Sequence, residues 1–248
     1  DSLPAIAIGM EPAEKDLLAE APSNPTGMVM TEEQLRGIAD FAVEKDIIVI
    51  ADEIYEKLIY SKDKKHISIA SFNQEIYDRT ITVNGVSKSY AMTGWRIGYT
   101  ASPLKIAKLM ASMQSHMTSN PNSIAQKAAL AAIAGPQDCV EQMREQFEKR
   151  RDYIYERVAK MPYVKTIKPE GAFYLFIDFS GTYQKAYKGE TLSSAAQIGA
   201  MLLDEKLLAV VPCADFGMPD HIRFSYATSI ENITKGMDRL EEFLAEIK

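Results

Sequence analysis

A lysine set between two serines, Ser87-Lys88-Ser89, lies in the stretch NGVSKSYAMTGWRIGY (Asn84–Tyr99), with Arg96 following on the same segment. A protonated lysine amine is a poor nucleophile, and burial or a nearby cation lowers its pKa and frees the lone pair. At the carboxyl end of a strand such an amine can form a Schiff base with an aldehyde. Ser87 offers a hydroxyl and Arg96 a planar donor fork suited to phosphate oxygens. Gly94 is placed to let the backbone between them turn sharply. Taken alone, Lys88 reads as a solvated surface cation, because most lysines are on the surface. Its company changes that reading.

DEIY (Asp52–Tyr55) follows the apolar run IIVIA (Ile47–Ala51) directly. A carboxylate just past a buried strand is costly unless paired. A protonated ring nitrogen would offset that cost, and the pairing would keep the ring an electron sink. Tyr55 is spaced to aim its hydroxyl into the same cleft. Taken alone, the motif reads as an N-cap aspartate beside a packing tyrosine. SNPTG (Ser23–Gly27) is a turn by composition: Pro25 fixes one dihedral, Gly27 frees another, and the Asn24 amide both donates and accepts. In IRFSY (Ile222–Tyr226), Arg223 sits in an apolar strand pattern, where an arginine either snorkels or pairs with an anion.

These residues need elements to hold them. LLAEA (Leu17–Ala21), IIVIA, TITV (Thr80–Val83) and IGYTA (Ile97–Ala101) read as strands of the buried parallel kind. Between the first two, Thr31 and Gln34 form a potential capping box, and Leu35, Ile38, Ala39 and Ala42 recur at helical spacing. Alternating strands and helices imply an open α/β sheet, in which ligands bind beyond the carboxyl ends of strands. SNPTG, DEIY and SKSY all fall at such ends. From Pro136 to Met161 the apolar residues Val140, Met143, Phe147, Ile154 and Val158 define one long amphipathic helix able to bridge two domains. His116 reads as a polar helix-end residue. Strands FYLFI (Phe173–Ile177), LLAVV (Leu207–Val211) and IRFSY, with helical patterns at Ser194–Lys206 and Ile230–Ile247, predict a smaller α+β domain. The expected division is 1–136 for a partial large, cofactor-binding domain and 137–248 for the long helix and small C-terminal domain.

The chain's 248 residues, 46% hydrophobic and 25% charged, suit a soluble globular protein with a sizeable core. No apolar run reaches membrane-span length and no secretory signal opens the sequence. A formal charge of -6 provides no basic field for nucleic acid. Cys139 and Cys213 are unclustered, arguing against a disulfide framework or a zinc site.

SNPTG, DEIY, SKSYAMTGWRIGY, PEGAFY (Pro169–Tyr174) and RFSY, in this order, closely resemble the class I/II aminotransferases, pyridoxal-phosphate enzymes of the aspartate aminotransferase superfamily. The resemblance implies a fold type I transferase in which Lys88 forms the Schiff base with pyridoxal 5'-phosphate and then shuttles a proton. It makes Asp52 the partner of the pyridinium nitrogen, and Tyr55 and Asn24 the groups bonding the cofactor's phenolic oxygen. Ser87 and Arg96 become phosphate ligands, and Arg223, with Asn24, the holder of the substrate α-carboxylate. The activity implied is transfer of an amino group between an α-amino acid and a 2-oxo acid, in the aspartate or aromatic branch. A cytoplasmic homodimer is implied, with no metal. The resemblance also leaves the family's N-terminal third without a counterpart, so exposed sheet edges and bare apolar faces are expected. A truncated non-catalytic fragment and a C–S lyase of the same fold are the alternative readings.

Overall fold

The computed structural model describes residues 16–20, as backbone, and residues 22–248. These form two compact units. The first holds the opening strand, Met30–Ile54 and Ile67–Gly135; the second holds Pro22–Val29, Tyr55–His66 and Pro136–Lys248. Among the described residues no helix is long and apolar enough to cross a membrane.

The first unit contains β1 (Asp16–Glu20), α1 (Glu32–Glu44), β2 (Ile48–Asp52), α2 (Gln74–Tyr77), β3 (Thr80–Gly85), β4 (Gly98–Ala101), α3 (Leu104–Met117) and α4 (Ser123–Ala134). Helix α1 starts on the expected capping box. Thr31 Oγ1 accepts from the Gln34 amide at 3.2 Å while Gln34 Oε1 accepts from the Thr31 amide at 2.9 Å. Glu32 and Glu33 in its first turn complement the helix dipole. Its buried stripe, Ala39 and Ala42, packs with Val49 and Ala51 of β2 and with Ile69 and Ile76.

The sheet order is β1-β2-β3-β4. The first three strands are parallel, in register Leu18↔Ile50 and Ile50↔Ile81. Ala21, expected to end the first strand, lies outside the described residues. The fourth strand departs from the sequence reading: β4 runs antiparallel to β3. The chain between them returns through turns, with Ala91 and Arg96 at positive φ, rather than through a crossover helix. A strand entered by such a reversal pairs antiparallel. All four β4 residues are exposed, so its apolar content does not mark burial on both faces.

Of the exposed edges and apolar faces that were expected, the described residues show one edge, β4, and one helix. Helix α3 buries no residue, and Leu104, Leu109, Met113 and Met117 are exposed along it. His116 lies in its last turn. Helix α4 is capped by Asn122, whose Oδ1 accepts from the Ile124 and Ala125 amides at 2.9 and 3.1 Å. Its Ala125 and Ala129 pack against Val86 and Ile97, flanking the segment that carries Lys88.

The second unit adds α5 (Asp138–Val158), β5 (Lys165–Thr166), β6 (Tyr174–Asp178), the hairpin β7 (Ala186–Tyr187) and β8 (Glu190–Thr191), α6 (Ala195–Lys206), β9 (Val211–Pro212), β10 (His221–Ser225) and α7 (Ile230–Ala245). Its sheet, β5-β6-β10-β9, is antiparallel throughout. The two-residue period decides its two faces. Leu175, Ile177, Ile222 and Phe224 are buried on one, while Phe176, His221 and Arg223 alternate with them. Helices α5 and α7 are joined by Arg157, which reaches Asp238 and Glu241 at 2.8 Å. The strand expected at Leu207–Val211 shrinks to Val211–Pro212, because Leu207 closes α6 in the left-handed conformation at φ 53°.

Pro22–Val29 and Tyr55–His66 precede residue 136 yet pack with the second unit, a difference from the expected division. Backbone hydrogen bonds fasten them to PEGAFY. The Glu170 and Gly171 amides both donate to Gly27 O at 2.9 Å, the Tyr60 amide donates to Glu170 O at 2.8 Å, and the Ala172 amide donates to Leu58 O at 2.9 Å. Glu170 Oε2 also accepts from Lys64 Nζ at 2.7 Å and the Val29 amide at 3.2 Å.

Candidate functional site

In the first unit, Asp52 ends β2 and Lys88 follows the end of β3 at Gly85. These strands are parallel neighbours, paired Asp52↔Val83, so both side chains belong to the carboxyl edge of one sheet. Asp52 Oδ1 accepts from the Ile54 amide at 3.0 Å. Burial raises the Asp52 pKa above the ordinary carboxylate value, the Ile54 amide and the Lys88 charge opposing that rise. A carboxylate held this way favours a cationic partner.

Lys88 is half-buried in a turn bracketed by bonds from the Tyr90 amide to Val86 O at 3.3 Å and from the Ala91 amide to Lys88 O at 3.2 Å. Ser87 is half-buried beside it. Ser89 is buried, and its Oγ has no hydrogen-bond partner among the described residues. Arg96 is exposed, in the left-handed region at φ 57°, with Nη1 donating to Thr93 O at 2.9 Å. The sharp turn expected at Gly94 is therefore made at Ala91 and Arg96. Gly94 lies inside the 3-10 turn Thr93–Trp95, where a Cβ would meet open space. With Trp95, Gln114, Asn120 and Asn122, Arg96 lines an open groove of about 690 Å³.

In the second unit, the SNPTG turn holds Asn24 next to a cis Asn24–Pro25 bond. Gly27 has φ +69°, and a Cβ on it would fall 2.7 Å from Pro169 Cβ and 2.9 Å from Gly171 O. The glycine freedom expected there is therefore required. Arg223 Nη1 donates to Asn24 Oδ1 at 2.5 Å. The guanidinium also lies over the ring of Tyr174 at 4.5 Å and that of Phe216 at 5.3 Å. Tyr55 is buried, and its hydroxyl is 2.7 Å from that of Tyr174. Tyr174 and Phe216 are residues that sequence reasoning did not single out. The signal for Tyr174 was present in PEGAFY: it opens β6, opposite Ser225, two residues beyond Arg223 on β10.

Thus the first unit groups Asp52, Lys88, Ser87 and Arg96, and the second groups Asn24, Tyr55 and Arg223. The sequence profile described as "Aminotransferase class I and II" matches residues 6–240. The chain belongs to that family. It is 44% identical over 233 residues to an aspartate aminotransferase of Geobacillus stearothermophilus, covering 94% of this chain and 58% of that protein. The structure of the aspartate aminotransferase from Rhizobium meliloti superposes with a TM-score of 0.91 at 33% identity, covering 98% of this chain and 61% of that one. That of Thermus thermophilus aspartate aminotransferase with maleate gives 0.83 at 37% identity, covering 96% and 59%. The fold is accordingly the fold type I of these aminotransferases. The chain spans about three fifths of the length of these relatives.

Proposed function

We propose that the protein is a pyridoxal-phosphate-dependent aminotransferase that moves an amino group between an α-amino acid, aspartate first among those to test, and a 2-oxo acid. The observation that carries this reading is the placement of both Asp52 and Lys88 at the carboxyl edge of parallel strands β2 and β3, within a chain of this family. The residues fit the group on two counts. Asp52 is a carboxylate that burial disfavours and that a cationic ring nitrogen would stabilise. Ser89 carries a buried hydroxyl without a hydrogen-bond partner among the described residues, one residue from Lys88.

Pyridoxal phosphate, when bound, supplies an electron-withdrawing ring that stabilises negative charge at the substrate Cα. Asp52 would pair with the ring nitrogen and hold a proton there. Lys88 Nζ would hold the cofactor through its amine and would carry a proton from the substrate Cα and back. Ser87 and Arg96 bind phosphate oxygens, the guanidinium as a charge-assisted donor. Asn24 and Tyr55, in the second unit, are the residues that the family resemblance assigns to the cofactor's phenolic oxygen. Arg223 binds the substrate α-carboxylate through its planar fork, with Asn24 beside it. Homodimerisation and a cytoplasmic location belong to the same proposal and are supported by family membership.

The test is an absorption titration with pyridoxal phosphate, followed by aspartate. Wild-type protein is expected to develop a visible-region band that aspartate bleaches, and Lys88→Ala is expected to develop none. A band of equal strength in Lys88→Ala would overturn the assignment of Lys88. A wild-type band that aspartate leaves unchanged would limit the protein to cofactor binding.

A further inference from the structure

The role of PEGAFY is not accounted for by the proposed chemistry, although the motif ends on a side chain that touches two of its residues. Tyr174 presents its ring to the Arg223 guanidinium at 4.5 Å and its hydroxyl to the Tyr55 hydroxyl at 2.7 Å. It is buried, as is Tyr55. Its ring also meets those of Phe173 at 4.8 Å and Tyr55 at 5.9 Å, both edge-on, so its orientation is fixed by packing. Phe216 covers the guanidinium as well, at 5.3 Å. Asn24 Oδ1 takes up one of the five N–H groups of Arg223.

We infer that Tyr174, with Phe216, is a positioning residue for carboxylate recognition: the aromatic faces hold the Arg223 guanidinium while its hydroxyl separately anchors Tyr55. The inference rests on the reading of Arg223 as the carboxylate site. A guanidinium on a long flexible stem loses rotamer freedom when it binds an anion. Aromatic faces bear that loss beforehand, because a ring quadrupole attracts a cation without occupying its N–H donors. The edge of the fork is left for a planar carboxylate, which an acidic side chain in place of Tyr174 would instead have neutralised.

The two contacts are separable by substitution. Tyr174→Phe keeps the ring and removes the hydroxyl; Tyr174→Leu removes both. Calorimetric titration of the protein with maleate reads carboxylate affinity, and near-ultraviolet circular dichroism checks that each variant is folded. Tyr174→Phe is expected to bind maleate within about twofold of wild type. Tyr174→Leu is expected to lose roughly three- to tenfold, the scale of one cation–π contact. Equal binding by Tyr174→Leu and wild type, or equal loss in Tyr174→Phe and Tyr174→Leu, would sink the inference.

Arg223→Gln serves as the control for the underlying reading. If it binds maleate like wild type, or if wild type takes no maleate, the carboxylate assignment fails instead. The hold of the two rings on the guanidinium is then still decided by the Arg223 Nε–H resonance in nitrogen-15 spectra. That resonance is expected to be shifted by the ring currents in wild type and in Tyr174→Phe, and to move in Tyr174→Leu and Phe216→Leu. An Nε–H resonance that ignores both leucine variants overturns the inference without reference to any ligand.

Discussion

The two units hold their chemistry in opposite ways. In the first, the candidate groups follow the ends of parallel strands and stand in turns: Lys88 between the Val86 and Ala91 turn bonds, and Arg96 at a left-handed position. There the polar groups are incompletely served. Asp52 has its pKa raised by burial, and the Ser89 hydroxyl lacks a partner among the described residues. In the second, Arg223 stands within an antiparallel strand, and the groups around it bind one another: Asn24 to Arg223, Arg223 to two aromatic rings, Tyr55 to Tyr174. The contrast teaches that strand-end turns preserve unmet electrostatic demand for a ligand to satisfy, while a sheet face with cross-strand neighbours fixes a recognition group in place and leaves its donor edge for the ligand.

If that contrast is sound, removing a group from the first unit should abolish function and spare the fold. The largest effect is expected for Lys88→Ala. Release of 2-oxo acid from aspartate should fall by about four orders of magnitude, the upper range for losing a positioned proton carrier. Stability measured by thermal unfolding should change by no more than about 0.5 kcal/mol, as for substitutions away from the core. Loss of stability matching the loss of activity would break the comparison.

The reverse is expected in the second unit at Gly171. An added Cβ there would lie 2.5 Å from Pro22 Cγ and 2.7 Å from Leu58 O, both in the segments fastened to PEGAFY. Gly171→Ala should destabilise by about 1–3 kcal/mol, the usual penalty for overpacking, and should weaken maleate binding because Asn24 lies just beyond Pro22. Denaturant unfolding and the same calorimetric titration check both. An unchanged midpoint would show that these segments are looser than their hydrogen bonds imply.

Much of this arrangement was legible in local patterns. Thr31 and Gln34 signal a helix start through their own side chains, and the box forms. Ile47–Ala51 and Phe173–Ile177 locate strands found one residue later, at Ile48–Asp52 and Tyr174–Asp178, because apolar runs determine pairing more closely than ends. What sequence reasoning missed depends on partners distant in the chain. The direction of β4 follows from turns at Ala91 and Arg96, neither a residue type that announces positive φ. Leu207 likewise ends α6 in a conformation that favours glycine, which shortened the expected strand. Helix α3 carries Ile106, Leu109, Met110, Met113 and Met117 at helical spacing, a signal passed over in the sequence, and Leu109, Met113 and Met117 are exposed. Tyr174 and Phe216 could not be assigned to Arg223 without the β6–β10 register and the fold of the preceding loop.

A smaller effect is expected at the start of α1, away from both sets of groups. Thr31→Ala removes the oxygen that caps the Gln34 amide and leaves that donor to water. Loss of about 1 kcal/mol is expected, as for other capping threonines, measured by thermal unfolding. Absorption titration with pyridoxal phosphate should be unchanged. A weakened cofactor band in this variant would mean that the β2 end is sensitive to the helix packed on its strand, blurring the division between scaffold and strand-end groups.

The finest test of the contrast is the sign of a pH effect at Asp52. Because its folded pKa is raised by burial, the folded chain holds the Asp52 proton more tightly than the unfolded chain does. Ionisation therefore penalises folding. The penalty is absent below the unfolded value, grows as pH rises through it, and is constant once pH exceeds the folded value. Asp52→Asn in cofactor-free protein should accordingly unfold at a higher temperature than wild type at pH 7, with the difference vanishing near pH 3. Adding pyridoxal phosphate should reverse the order at pH 7, since only the wild-type carboxylate can pair with a protonated ring nitrogen. A destabilised Asp52→Asn without cofactor would mean that the bond from the Ile54 amide outweighs desolvation, and that Asp52 is as self-contained as the groups around Arg223.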